Sequence, residues 1–209
     1  MHGNAGVNSK MEDRIPLTKK ALETRQKLMT TTLEQVAEHG YHNITADDIA
    51  KACGISTGSA YRYFKNKKEM LLAAIEYCYA NIQSFSGTED TRLAEFDTVE
   101  EMLEYALGQF YLIHKKYYAL HEELESLRHI DADIRAVYEK IMQDAVEVLL
   151  SKCSAKLGPL PNLRERLYAA IGILENCVHI QMNDGISKAL DMDELQKISI
   201  KAVMAIMEG

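Results

Sequence analysis

The stretch that decides the fold is residues 54–67, GISTGSAYRYFKNK. After a Gly-Ile-Ser turn it carries two tyrosines, a phenylalanine, an arginine and two lysines. Gly54 suits a tight turn whose backbone disfavours a Cβ atom, and Ser56 is a favoured residue for capping a helix. The stretch therefore predicts a turn followed by a short helix that runs to about Phe64 and carries aromatic and cationic side chains.

A second short helix precedes this turn. Thr45-Ala-Asp-Asp48 resembles a capping box and opens a helix through Cys53. Two short helices joined by a tight glycine-containing turn are the components of a helix-turn-helix. In the later helix, Ala60 and Phe64 are four residues apart and share one face, which we assign to the core. The other side chains of that helix then point outward.

The outward side chains are of types that suit contact with DNA. Hydroxyl groups bond to phosphates or base edges, and a glycine lets the backbone approach closely. A lysine in the first turn of the next helix opposes the helix dipole, unless a phosphate lies there. The alternative is that the tyrosines are packing residues and the lysines are solvated. The predicted DNA-binding residues from this pattern are Thr57, Gly58, Ser59, Tyr61, Arg62, Tyr63 and Lys67.

The charge distribution favours DNA contact at the N-terminal end only. The chain has 209 residues and a net charge of −7, but residues 1–70 carry +3 and residues 71–209 carry −10. Such asymmetry indicates that only the first segment faces a polyanion, while phosphates repel the remainder.

The whole chain predicts an all-α fold. Apolar residues recur at helical intervals, and only three prolines occur in the chain. Helix start and stop signals predict the following helices: 19–39; 46–53; 57 to about 64; 67 to about 85 after Asn66; 99–116 after a capping box at Thr98; 117–129, continuous with the previous helix or separate; one opened by Asp131 or Asp133 and ending near Gly158; one opened at Asn162 and ending at Gly185; and a last one opened by Asp191 or Asp193.

Several functional classes lack support in the sequence. We find no glycine-rich phosphate loop and no nucleophile motif, so neither an enzyme nor a cofactor is predicted. The apolar runs are far shorter than the roughly 20 residues that cross a bilayer, and residues 1–14 lack a signal-peptide core. We therefore expect a cytoplasmic protein without a membrane partner. The four cysteines are far apart and are expected to be small apolar core residues.

The last two long helices predict a dimer interface. The helix over 163–182 is apolar on more than one side, which is typical of a helix buried on more than one side. Pairing two such helices with their symmetry mates gives a four-helix interface; the alternative is a monomeric core. The predicted interface residues are Leu167, Ile171, Leu174, Val178, Ile198, Ala202 and Ile206.

Polar and aromatic residues inside apolar helical patterns are candidates for a ligand pocket. Glu175 and His179 are four residues apart and can pair on one face, either to orient a ligand or as a satisfied buried pair. His114 and His121, with Glu122 and Glu125, match no standard zinc spacing, so no metal is predicted. The candidate ligand residues are Tyr105, Phe110, His114, Tyr118, Tyr138, Met142, Glu175, Asn176 and His179.

The pattern over residues 25–72 resembles the TetR family of transcriptional regulators. It includes Arg25, Leu28, Gly40-Tyr41, Ile44-Thr45, and Asp48-Ile49-Ala50, then CGISTGSAYRYF at 53–64, and finally Lys67, Glu69 and Leu71. The resemblance implies that Thr45, Thr57, Ser59, Tyr61, Tyr63 and Lys67 contact DNA, and that the last two long helices form a homodimer.

The predicted organisation follows from these patterns and this resemblance. Residues 1–15 form a mobile tail, 16–66 a three-helix DNA-binding domain, and 67–209 a larger helical ligand-binding and dimerisation domain. The expected function is a homodimeric regulator, most simply a repressor that leaves a palindromic double-stranded DNA operator when an unknown small-molecule effector binds. Activation is equally compatible with the sequence, and an adapter or coactivator that no longer regulates through DNA is the alternative.

Overall fold

The computed structural model of the chain describes residues 18–85, 97–157 and 160–208. The predicted mobile tail, residues 1–15, lies outside them. These residues form helices and no β-strand, which confirms the all-α prediction. None of the helices they form is long and apolar enough to span a bilayer. The helices are α1 (Lys19–His39), α2 (Ala46–Cys53), α3 (Thr57–Ala60), α4 (Lys67–Phe85), α5 (Val99–Lys116), α6 (Tyr118–Ile130), α7 (Ala132–Leu157), α8 (Leu163–Met182), α9 (Asp184–Ser187) and α10 (Met192–Glu208).

Local capping explains why most helix starts were predictable. At α2 the Asp48 amide donates to Thr45 Oγ1 over 3.2 Å, and the Thr45 amide donates to Asp48 Oδ2 over 2.8 Å. This reciprocal pair is the predicted capping box. Asp131 caps α7, since its Oδ1 accepts from the amides of Asp133 and Ile134. These bonds use donors that the first helical turn leaves without partners.

Three helix boundaries differ from the sequence predictions or were left open by them. α3 ends at Ala60 rather than near Phe64, because the amides of Arg62 and Tyr63 turn to carbonyls three residues back. α8 ends at Met182, and a separate short helix, α9, runs through Gly185. The stretch after Lys116 breaks from α5 at Tyr117, whose φ of −116° and ψ of 23° are not helical.

The first four helices share one hydrophobic core with α6 and α7. Leu28 of α1, Ile49 of α2 and Met70 of α4 are fully buried in the same cluster as Leu124 of α6 and Ile134 of α7. The hydroxyl of buried Thr32 donates to the Leu28 carbonyl over 2.7 Å, so this polar group is satisfied inside the core. The helix-turn-helix is therefore packed directly on the helices that follow it.

The remaining helices pack around α8. α10 and α5 both contact α8, and Leu107, Val178 and Ile200 form a buried cluster between them. A smaller cluster of Val146, Leu163 and Leu167 joins α7 to the beginning of α8. The C-terminal half is thus a helical layer built on α8.

Replacing two glycines of the helix-turn-helix tests its backbone. Gly54 has a φ of 77° and a ψ of 28°, the left-handed region, so Gly54→Ala should lower the free energy of unfolding by about 1–2 kcal/mol. Gly58 is helical and an added Cβ meets no atom within 4 Å, so Gly58→Ala should leave stability unchanged or raise it slightly. Chemical denaturation followed by circular dichroism measures both variants. Equal stability of the two variants would contradict the strain assigned to Gly54.

Candidate nucleic-acid interface

The turn between α2 and α3 is fixed by main-chain bonds. The Gly54 amide donates to the Lys51 carbonyl over 3.0 Å, and the Ile55 amide donates to the Ala50 carbonyl over 3.0 Å. Lys27 of α1 donates from Nζ to the Cys53 carbonyl over 2.7 Å, which ties the end of α2 to α1. α3 is therefore held at a set angle to the rest of the domain.

The two sides of the α3 segment differ as the sequence predicts. Ala60 is fully buried and Phe64 is 2% exposed, so this face belongs to the core. On the other side, Tyr61 is 49% exposed and Arg62 is exposed. Tyr63 is half-buried and packs against the core, so only part of its ring reaches the surface.

The hydroxyl groups of this surface are held by neighbouring side chains. Thr57 Oγ1 makes a close hydrogen bond to Asp47 Oδ1, and the Oγ atoms of Ser59 and Ser56 lie 2.9 Å apart. Thr45 Oγ1 donates to Asp48 Oδ2 over 2.6 Å. Each hydroxyl is thus oriented in advance, and its remaining lone pair can still accept a hydrogen bond. Sequence reasoning missed the role of Asp47 as the partner of Thr57.

Gly58 leaves an open surface in the middle of this face. It is exposed, and an added Cβ would meet nothing within 4 Å. A second molecule can therefore approach the main chain of α3 closely at this residue.

Lys67 points into the protein rather than away from it. Its Nζ donates to the carbonyls of Tyr41 and Ile44, each over 2.7 Å, and lies 4.1 Å from the centre of the Tyr41 ring. Burial lowers the pKa of this ammonium. Its phosphate contact stays a prediction, and in this conformation two of its three N–H donors bond within the chain.

Tyr41 also joins the domain to α6. Its amide donates to Glu123 Oε1 over 2.7 Å, while its carbonyl accepts from Lys67. We call this arrangement of Tyr41, Lys67 and Glu123 the Tyr41 junction. Nearby, Lys68 pairs with Asp131 and Asp133 over 2.8 and 2.5 Å, and these two carboxylates raise the pKa of Lys68. α4, α6 and α7 are therefore linked by charged groups next to the helix-turn-helix.

The candidate ligand residues are only partly brought together. Phe110 packs edge-on against His114, and His114 lies 5.7 Å from His179 between ring centres. Glu175 precedes His179 on α8. Burial raises the pKa of the Glu175 carboxyl, and the neighbouring His179 offsets part of that rise. Asn176 and Tyr118 are exposed. The other three, Tyr105, Tyr138 and Met142, are half-buried, and Tyr138 packs edge-on against Tyr79.

His121, which was not among the candidate ligand residues, joins this group. His121 Nε2 lies 2.8 Å from His179 Nε2, and its ring centre lies 4.6 Å from that of His114. Burial lowers the pKa of His114, and burial together with His114 and His179 lowers that of His121 to about 4. His121 and His179 are 58 residues apart, so no local spacing could have linked them.

The predicted dimer residues divide into two groups. Leu167 and Val178 are 5% and 0% exposed, since their side chains are buried against α7 and α5 of the same protomer. They therefore have no surface to offer a partner, which corrects their assignment to the interface. Ile198 is 56% exposed. The remaining four, Ile171, Leu174, Ala202 and Ile206, are half-buried.

Comparison with known proteins finds a family match over the N-terminal helices. Residues 28–74 match the model of "Bacterial regulatory proteins, tetR family". The chain is 34% identical over 94 residues to the HTH-type transcriptional regulator CymR of Pseudomonas putida, covering 44% of this chain and 46% of CymR. It is 42% identical over 50 residues to the probable acrEF/envCD operon repressor of Escherichia coli K12, covering 24% and 23%. The chain thus spans half or less of the length of these relatives.

The fold likeness extends over most of the chain. The structure of FadR from Bacillus subtilis in complex with stearoyl-CoA superposes with a TM-score of 0.65 at 19% identity, covering 85% of this chain and 96% of FadR. Likeness at this identity establishes the fold alone. The prediction that the chain is not an enzyme is confirmed by the family match, because the family consists of regulatory proteins. The helix-turn-helix within residues 28–74 is therefore that of the tetR family of bacterial regulatory proteins.

Proposed function

We propose that the chain is a homodimeric, ligand-responsive repressor of the cytoplasm that binds a palindromic operator and leaves it when an effector binds. The observation that carries the proposal is the outer side of the α3 segment. There an open glycine, preset hydroxyls and the exposed Tyr61 and Arg62 lie side by side on a fixed turn.

Each group on this surface suits a part of duplex DNA. Tyr61 and Arg62 can donate to phosphates, and the hydroxyls of Thr57 and Ser59 can meet base edges in the major groove. Gly58 allows the main chain to approach the DNA backbone. Lys67 acts either by turning its ammonium to a phosphate or by fixing the Tyr41 turn. The proposed DNA-binding set is Thr45, Thr57, Gly58, Ser59, Tyr61, Arg62, Tyr63 and Lys67.

A twofold dimer would present two copies of this surface to the two halves of an operator. Two recognition helices about 34–36 Å apart would read half-sites one turn of DNA apart, so the operator is palindromic. The exposed Ile198 of α10 supports α10 as a dimer contact, together with the half-buried Ile171, Leu174, Ala202 and Ile206. Residues 16–66 form the DNA-binding domain in this proposal, and residues 67–209 the ligand-binding and dimerisation domain.

The effector acts on the C-terminal domain. The half-buried aromatic and polar residues of α5, α7 and α8 are of the types that line ligand sites. The fold is compatible with this role, since the FadR structure contains stearoyl-CoA. To release DNA, the effector must bind more tightly to the conformation that does not fit the operator than to the conformation that does.

Electrophoretic mobility shift with DNA upstream of the protein's own gene tests the proposal. We expect a shift that depends on a palindrome and that weakens about a thousandfold or more between 50 and 200 mM salt, because several phosphate contacts release counterions. Shuffling the palindrome while keeping its composition is the control. Equal binding to both DNAs, or no shift at low salt, would favour the adapter hypothesis.

Two substitutions on the outer face test the docking. Tyr61→Phe should weaken operator binding at least about tenfold, since a hydrogen bond to a charged group contributes about 1.5–3 kcal/mol. Gly58→Ala should weaken binding too, because its methyl group would stand between backbone and DNA, although it leaves the fold intact. Fluorescence anisotropy with labelled operator measures both. Tyr168→Phe, 40% exposed on α8, is the control and should bind as the unaltered protein does.

The dimer proposal is tested at α10. Ile198→Lys should shift the protein from dimer to monomer at micromolar concentration, because it would place a charge in an apolar contact. As the control, Ile130→Lys alters a residue that is 69% exposed on α6, and this variant should remain a dimer. Sedimentation velocity measures both. A dimer that persists in Ile198→Lys would place the interface elsewhere.

A further inference from the structure

Three histidines from three helices meet inside the C-terminal half. His114 comes from α5, His121 from α6 and His179 from α8. One potential ligand nitrogen from each lies within 4.8 Å of the other two. Within the described ranges, no carboxylate or thiol joins this set at the same spacing. We call these three residues the His centre.

The hydrogen bond between His114 and Phe110 orients the His114 ring as a metal ligand would be oriented. Its Nδ1 lies 2.9 Å from the Phe110 carbonyl, which can only accept, so Nδ1 carries the proton. The lone pair of the ring is then on Nε2. A ligand histidine commonly donates its other ring N–H to a carbonyl, which fixes both tautomer and ring orientation.

His121 and His179 face each other through their Nε2 atoms. Their Nε2 atoms are 2.8 Å apart, so a single proton lies between two imidazole lone pairs. Neutral imidazole is the form that binds metals.

We propose that the His centre binds one divalent transition-metal ion through His114, His121 and His179. Three imidazoles suit Zn²⁺, Ni²⁺, Co²⁺ or Cu²⁺ and not Mg²⁺ or Ca²⁺, which take oxygen ligands. Zinc–nitrogen bonds of about 2.0–2.1 Å at a tetrahedral angle set nitrogens about 3.3 Å apart. The His121–His179 pair needs to open by only about half an ångström to reach this separation. The fourth position is left for water or an exogenous ligand.

The position of the centre makes the metal a regulatory ligand, a step that rests on the proposed function. His121 and Glu123 lie on α6, and Glu123 holds the amide of Tyr41 at the Tyr41 junction. A metal that joins α5, α6 and α8 fixes α6 relative to α8. The same ion therefore biases the position of the helix-turn-helix.

Titration of chelator-treated, full-length protein with Co²⁺ tests the centre without DNA. We expect visible ligand-field absorption that saturates at one Co²⁺ per chain and is displaced by Zn²⁺. His121→Gln and His179→Gln should each weaken Co²⁺ binding at least about a hundredfold, while their circular dichroism stays that of the unaltered chain. His129→Gln, an exposed histidine on the same helix, is the matched control and should keep full affinity. No saturable absorption, or equal loss in His129→Gln, overturns the centre.

Operator binding by metal-free and Zn²⁺-loaded protein tests the regulatory step. We expect at least a fivefold difference in affinity that His121→Gln abolishes and His129→Gln retains, in the range of allosteric coupling. Saturable metal binding with equal operator affinity overturns the regulatory step and leaves the centre standing. If neither the metal-free nor the metal-loaded protein binds any palindrome, the proposed function is overturned. Whether the His centre binds a metal is then still decided by the Co²⁺ titration.

Discussion

The main chain of Tyr41 is the point on which the arrangement of the two halves depends. Its amide donates to Glu123 of α6 and its carbonyl accepts from Lys67 of α4, each over 2.7 Å. Both bonds involve a charged group, which makes them stronger than ordinary main-chain bonds. Because Lys67 follows the α3 segment directly, a movement of α6 is transmitted to the helix-turn-helix through these two hydrogen bonds.

The hydrophobic core supports the same linkage. Leu120, Leu124 and Leu127 of α6 are buried in the cluster that also contains Leu28 and Ile49 of the first helices. Burying such side chains contributes about 1.5–3 kcal/mol each, so α6 is firmly attached to the N-terminal helices. The helix-turn-helix is consequently stabilised by residues well beyond position 67, where the sequence pattern suggested a domain boundary.

What the sequence could predict was set by the range of the interactions. Thr45 and Asp48 cap a helix within four residues, so their roles could be predicted from their spacing in the sequence. The direction of Lys67 depends on a turn 26 residues earlier, and the pairing of His121 with His179 spans 58 residues. Val178 likewise looked like an interface residue, because periodicity marks an apolar face without saying which neighbour covers it. Contacts of this kind follow from tertiary packing, which one sequence does not contain.

The strength of the Tyr41 junction suits the proposed regulation by a ligand. Moving α6 away would replace the bond between the Glu123 carboxylate and the Tyr41 amide with bonds to water, at a cost of about 1.5–3 kcal/mol for a hydrogen bond to a charged group. Allosteric coupling between two sites is usually of the same size. A ligand held between α6 and α8 can supply that energy from a small part of its own binding free energy. A much stronger junction would lock the two halves together, and a much weaker one would let α6 move without the DNA-binding surface following.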